Sequence, residues 1–477
     1  MKKIKTISII LVLCGLLFSN VYAKNIALFL HGFESVGQVW TDRGTTADFL
    51  ESDGYGSAIV DDYLNFDYDI VDFQNTDSLF GELIAEMAEK DPYQQHKWII
   101  VGHSLGGLFA RGVESTLRGA NFNIAAILTI GAPHLGAPVV LVDEHRAEEL
   151  IGTWAATCKK GPDAGLHWLA KFLAPEEATK MSEYLDNAHD EGLGWLENAK
   201  NARDDLKPVN GRVIKNVQSA SVKAPYHSII GAERGPTIMR WTSELDNVKS
   251  CMGLSNNATE KDVMDKYKDI KTLYKTNWDL YNYDVNAQYL AMYCLPWRWL
   301  MKEYYIKASR LRDKANKWKQ GYNAWRDLDN TWAEMIGAGS TYQKETLVYS
   351  PGYCIYGGGG TNPKILSDFE TLFDVYNPCP RGETYVSGSW VRRTVSVKIA
   401  RKNDGLIQTN MALWNESATL DDTYNPYYDD VMEDGGWNHS EMMRYTRVYP
   451  GEDTGKPGAE IETPLKANKG WMKDRLR

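Results

Sequence analysis

The chain has 477 residues, 43% of them apolar and 24% charged, with a formal net charge of −10. That length exceeds one typical domain and that composition is globular, which excludes a disordered chain and a single small module. The acidic balance argues against nucleic acid as the main partner.

The N-terminus opens with Lys2, Lys3 and Lys5, followed by a mostly apolar run at 7–18 and by Val21-Tyr22-Ala23, which offers small side chains at the −3 and −1 sites of a cleavage point. Residues 1–23 therefore read as a signal peptide and the protein as exported, periplasmic or extracellular. The apolar run is too short for a membrane span, and no later run is long and apolar enough. Cleavage removes three lysines and leaves a net charge of −13. Bulky Leu13 before Cys14 argues against lipidation. In an oxidising compartment Cys158, Cys251, Cys294, Cys354 and Cys379 allow up to two disulfides, of open connectivity. No pair has the Cys-x-x-Cys spacing of a redox or zinc-ribbon site.

Residues 24–140 read as the first half of an α/β core. A strand at 26–30 runs into His31-Gly32-Phe33, a second is expected at 58–60, and Leu79, Leu83, Ile84 and Met87 give helical periodicity over 77–90. Trp98-Ile99-Ile100-Val101 is a short apolar run suited to a central parallel strand. It ends in Gly102-His103-Ser104-Leu105-Gly106, and Leu105, Leu108, Phe109, Val113 and Leu117 then recur at helical spacing. This is the pattern of a strand-to-helix elbow that presents a serine hydroxyl. Another buried strand at 124–130 leads into Gly131-Ala132-Pro133-His134-Leu135-Gly136-Ala137-Pro138. Strands alternating with helices imply a doubly wound, mainly parallel sheet.

Residues 141–222 change character and read as a helical cap insertion with charged faces. Residues 223–235 return to the core with a strand at Tyr226-His227-Ser228-Ile229-Ile230. A second insertion, 236–390, reads as helical and then loop-rich. Ten of the sixteen tryptophans lie in 141–345, and Trp318, Tyr322, Trp325, Leu328 and Trp332 share one helical face. These rings either pack the cap or line an apolar pocket. The second half of the core is expected at 391–449, beginning with a strand at 391–399 that leads into Asn403-Asp404-Gly405. Residues 450–477, rich in Gly, Pro, Lys and Glu, read as a surface tail.

A serine needs a histidine to take its proton and a carboxylate to orient that histidine. In this architecture the chain order is serine, acid, histidine. Of the histidines after Ser104, namely His134, His145, His167, His189, His227 and His439, the last lies beyond a suitable acid loop. Asp404 follows a late strand and precedes a turn-permitting glycine. Asp429, Asp430 and Asp434 are rivals in a polar run without a strand ahead of them. His103 is expected to point away across the elbow, and His227 to be a satisfied buried histidine. Oxyanion stabilisation needs two backbone N–H groups, for which Leu105 and Phe33 are the candidates.

As an ordered set, these motifs and Asn438-His439 resemble the α/β-hydrolase lipases, in the branch of bacterial triacylglycerol lipases and GPI-inositol-deacylase-like esterases. The resemblance covers about half the chain. It implies Ser104 as nucleophile, Asp404 as acid, His439 as base, and Phe33 and Leu105 as oxyanion donors. Two large insertions exceed the usual lid, so the substrate class does not transfer. Glu441 stands where that branch often has a calcium ligand, but no second ligand matches and no metal is assigned. The expectation is an exported serine hydrolase of carboxylic esters with a lipid-like substrate, with no cofactor and an ester or lipid as its small-molecule partner. An acyltransferase with the same triad, or a non-catalytic apolar-ligand or glycan-binding protein, is the alternative. Lipid-surface contact through the aromatic cap suits either; oligomeric state is open.

Overall fold

A computed structural model describes residues 23–33, 35–42, 44–51, 58–68, 76–142, 202–231, 330–350, 389–401, 403–414 and 460–477, with shorter stretches at 145–146, 149, 276, 279–280, 283, 306–313, 353–356, 364–365, 383–386, 439, 441–443 and 446–448. The expected signal peptide (Ala23 excepted), the candidate disulfide cysteines other than Cys354, the rival acids Asp429, Asp430 and Asp434, and the rings Trp318, Tyr322 and Trp325 lie outside the described residues. Two compact units divide the chain. The first comprises Met1–Val142, Glu197–Glu233 and Lys402–Arg477; the second comprises Asp143–Leu196 and Arg234–Arg401.

The first unit is built on five parallel strands, β1 (Asn25–Leu30), β2 (Asp62–Phe66), β3 (Lys97–His103), β4 (Asn123–Ile130) and β5 (Tyr226–Ile229). Their order is β2-β1-β3-β4-β5. β1, β3 and β4 are near-continuous apolar runs because both their faces are covered. On one face Phe29, Ile99, Val101, Leu128 and Ile130 pack with Trp40 and Phe49, and with Met472 and Leu476 from the C-terminal helix Lys469–Leu476. The helix Leu105–Gly119 covers the opposite face: a Cβ on its Gly107 would meet Thr129 Cβ, which alternates with Leu128 and Ile130. Each large apolar side chain buried this way contributes about 1.5–3 kcal/mol. β1 and β3 pair Leu30 with Gly102, so their ends share one edge of the sheet. Ligands gather at that carboxyl edge in open α/β sheets.

Five expectations need correction. Residues 58–60 are not a strand. Ile59 and Val60 are buried in a loop and donate their N–H groups to Phe49 O, while β2 begins at Asp62. As the half-buried edge strand it has the polar sequence DYLNF and lacks an apolar run. Within the expected cap at 141–222, the helices Arg203–Leu206 and Arg212–Ser219 belong to the first unit, where Leu206, Val213, Ile214 and Val217 are buried.

The expected core strand at 391–399 does form, but in the second unit. That unit contains β6 (Gly339–Ser350), β7 (Tyr353–Tyr356), β8 (Lys364–Ile365), β9 (Glu383–Val386) and β10 (Ser389–Ala400). β10 pairs antiparallel with β6 along its whole length, and β8-β7-β9 form a separate antiparallel sheet. Charged side chains at both parities, Arg392 and Arg393, suit β10 to an exposed ribbon and bar it from a doubly covered sheet. The stretch read as loop-rich is thus partly stranded. Around it Trp332, Met335, Ile336 and Ala338 are buried.

The last residues are not a surface tail. β12 (Glu460–Glu462) pairs with β11 (Thr446–Val448), and Leu465, Met472 and Leu476 enter the core cluster. Their seven- and four-residue spacing is helical, a signal that the Gly, Pro and Lys content obscures. Among the described residues no helix is long and apolar enough to cross a membrane.

Candidate active site

Ser104 follows the last residue of β3 and caps the helix Leu105–Gly119 with φ 52 and ψ −123, a conformation that is strained for a residue with a side chain. Its N–H donates to Ile130 O at 2.8 Å, and Gly107 N–H donates to Ser104 O at 3.0 Å. The flanking glycines are steric requirements. A Cβ at Gly102 would lie 2.4 Å from Gly106 O, and one at Gly106 would lie 2.3 Å from Leu30 O. The elbow therefore closes with β1 and β3 in backbone contact.

The loop after β1 passes directly beside the serine, since a Cβ at Gly32 would lie 3.0 Å from Ser104 Cβ. Tyr68 N–H donates to His31 Nε2 at 3.3 Å, which leaves the ring proton on Nδ1. Nδ1–H then donates to Gly32 O at 2.9 Å. That carbonyl shares a peptide plane with the Phe33 N–H, so fixing one orients the other. Tyr68 also stacks on the imidazole at 4.1 Å, and its hydroxyl donates to His31 O. Burial pushes the Tyr68 phenol well above its usual range, which keeps that proton in place.

Asp404 and His439 meet at the same edge. His439 Nδ1 lies 2.8 Å from Asp404 Oδ2, and the two side chains are 6% and 1% exposed. The carboxylate is held from behind, because Leu406 and Ile407 donate their N–H groups to Oδ1 at 3.0 and 2.7 Å. Gly405 makes this turn with φ 96, and its N–H donates to Asn403 Oδ1 at 2.7 Å. Two strand-end glycines make room for the pair. A Cβ at Gly131, just past β4, would lie 2.9 Å from His439 Nδ1, and one at Gly231, beyond β5, would lie 2.3 Å from Asp404 Cβ. Asp404 thus comes to the edge beside β5, not at the end of a sheet strand of its own.

His103, expected to point away from the serine, is turned toward this pair. Its Nε2 lies 2.9 Å from His439 O, and the two rings are 4.7 Å apart.

The segment that carries Asp404 is clasped further along. Arg111, one helical turn and more beyond the elbow, donates from Nη1 to Trp414 O and lies over the Trp414 ring. Gln218 Nε2 donates to Trp414 O at 3.1 Å and to His134 O at 2.7 Å. Tyr226 stacks on Trp414 at 3.8 Å. Burial lowers the Arg111 guanidinium to about 10, still charged at neutral pH. Burial and the neighbouring Arg111 hold His134 far below the usual imidazole range, hence neutral. His134 is therefore part of this clasp.

Ser104, Leu105, Asp404 and His439 are all buried, and Phe33 is half-buried. The elbow, the loop after β1 and the Asp404–His439 pair lie around the ends of β1, β3, β4 and β5. His145 is exposed, His227 sits in β5, and the side chain of Glu441 lies outside the described residues. Sequence reasoning misses His103, Tyr68, Gly131 and Gly231. Gly131 and Gly231 each follow an apolar strand, which is the one local signal available for them.

Chemically, an imidazole whose Nδ1 proton is held by a carboxylate presents Nε2 as a base. No match is found among curated proteins or among solved structures. Residues 69–158, which contain β3, Ser104, Leu105 and β4 but not Phe33, Asp404 or His439, match the family model of the PGAP1-like alpha/beta domain, a hydrolase-type family in agreement with the esterase and lipase resemblance of the motifs.

Proposed function

We propose that the protein is an exported serine hydrolase of carboxylic esters, with a lipid-like substrate. Ser104 Oγ attacks the ester carbonyl while His439 Nε2 takes its proton, and the N–H groups of Leu105 and Phe33 hold the oxyanion. The imidazolium returns the proton to the leaving alcohol. Water, deprotonated by the same nitrogen, then cleaves the acyl-serine and releases the acid. Asp404 keeps the proton on His439 Nδ1 throughout and stabilises the charged ring.

The observation that carries this reading is the buried 2.8 Å contact between Asp404 and His439, beside a strained serine at a sheet's carboxyl edge. The test is hydrolysis of chromogenic esters from C2 to C16 by the mature protein, with Ser104→Ala as control. Turnover that disappears in the variant supports the reading, and the chain-length optimum separates a lipase from a small-ester esterase. Turnover unchanged in Ser104→Ala, or absent in folded wild type, sinks it.

A further inference from the structure

We propose that His103 is a positioning residue that sets the place of the base His439, an inference that rests on the hydrolase reading above. The His439 carbonyl is an acceptor, so the 2.9 Å contact requires His103 Nε2 to carry the proton and donate it. This bond joins residues 336 positions apart. It ties the backbone of the base to the residue next to the nucleophile, so elbow and base move as one piece. Both rings are buried, His103 and His439 each at 5% exposure. Their 4.7 Å separation leaves little freedom for either to rotate independently.

Two further restraints act at other points. Asp404 holds the ring at Nδ1 and governs its orientation. Four residues on, Thr45 Oγ1 donates to Met443 O at 2.8 Å, and Met442 and Met443 are buried in the core cluster. The His103 bond acts on the backbone at residue 439 itself. Without it the imidazole keeps its carboxylate but loses its registration with Ser104. A misplacement of about 1 Å at this point costs about 100-fold in rate.

Two polar variants test this. The amide of His103→Gln reaches as far as Nε2 and still donates, whereas that of His103→Asn stops at the depth of Nδ1. Ester hydrolysis and fluorophosphonate labelling of Ser104 are measured for both, beside wild type and Ser104→Ala. The expected result is a kcat about 10- to 100-fold lower in His103→Asn with KM within about twofold, and a parallel loss in labelling rate. His103→Gln is expected to recover most of both. Equal impairment of the two variants, or wild-type kcat in His103→Asn, overturns the assignment while Ser104-dependent turnover in wild type leaves the hydrolase reading standing. Wild-type turnover that does not depend on Ser104 overturns both.

Discussion

Gly231→Ala is the sharpest steric test of the site. The position has no left-handed backbone, so alanine meets no conformational penalty, and the effect is one of space. The new Cβ would lie 2.3 Å from Asp404 Cβ, 2.7 Å from its Cα and 3.1 Å from its N. Carbon atoms rest at about 3.5 Å or more, so Asp404 must retreat by about 1 Å. What blocks the methyl group is mostly backbone, pinned by the Leu406 and Ile407 N–H groups and by Thr409 Oγ1, which donates to Gly231 O at 2.5 Å. The retreat lengthens the 2.8 Å contact with His439 to about 3.8 Å, outside hydrogen-bonding range. We expect kcat to fall about 100-fold, with about 1–3 kcal/mol lost from stability through overpacking. Gly81→Ala is the control. Its Cβ meets nothing within 4 Å in the helix Thr76–Lys90, so it should leave activity unchanged and add about 0.5–1 kcal/mol. Ester kinetics with thermal melts on all three proteins decide the matter. Wild-type kcat in a folded Gly231→Ala protein would refute the placement of Asp404.

Two further outcomes are expected. Asp404→Asn keeps an oxygen for the Leu406 and Ile407 N–H groups but offers an amide N–H₂ to His439 Nδ1, which moves the ring proton to Nε2. Its kcat should drop about 10³- to 10⁴-fold with little change in melting, whereas Asp430→Asn should stay near wild type; the reverse pattern makes Asp430 the acid. His227 has its pKa pushed down from 6.5 to about 4, chiefly by burial. The unfolded chain therefore binds a proton that the fold refuses as pH drops from about 6.5 toward 4, and stability declines in that window. His227→Gln should lose less melting temperature than wild type between pH 7.5 and pH 5, by about 2–4 °C for about 1 kcal/mol after allowance for solvent screening. Parallel curves would show that His227 is not responsible.

The parts of the fold that are legible in the sequence are those whose signal is local. β3, the elbow and the helix Leu105–Gly119 are written within twenty-odd residues as an apolar run, two crowded glycines and a helical repeat. β1 and β4 carry similar runs because both their faces are covered, and β5 is marked by the buried Ile229 and Ile230 at its end. β2 is misplaced because an edge strand needs no such run. β10 is recognised as a strand but given to the wrong sheet, since period-two patterning does not name a partner and Arg392 and Arg393 weigh against burial only once the alternatives are set side by side. The C-terminal segment is missed because three buried side chains, Leu465, Met472 and Leu476, are diluted by lysine and glycine.

The site shows the same divide in a more useful form. Chain order and turn chemistry single out Asp404 and His439 as the expected acid and base, and the structure brings these two side chains within 2.8 Å of each other. What brings them together does not depend on type in that way. Gly131 and Gly231 act through the absence of a side chain, His31 through a carbonyl in the loop after β1, and His103 through the backbone of a residue more than 300 positions away. The two glycines and His103 make contacts between a strand end and a distant loop, His31 makes one within its own loop, and none leaves a periodic trace. A sheet edge where four strands stop together can hold such groups at hydrogen-bonding distance. The cost is backbone strain at Ser104 and four glycines, Gly102, Gly106, Gly131 and Gly231, where a Cβ would collide. The most informative substitutions for this protein are therefore the small ones at those strand ends, which change geometry and leave the reacting groups intact.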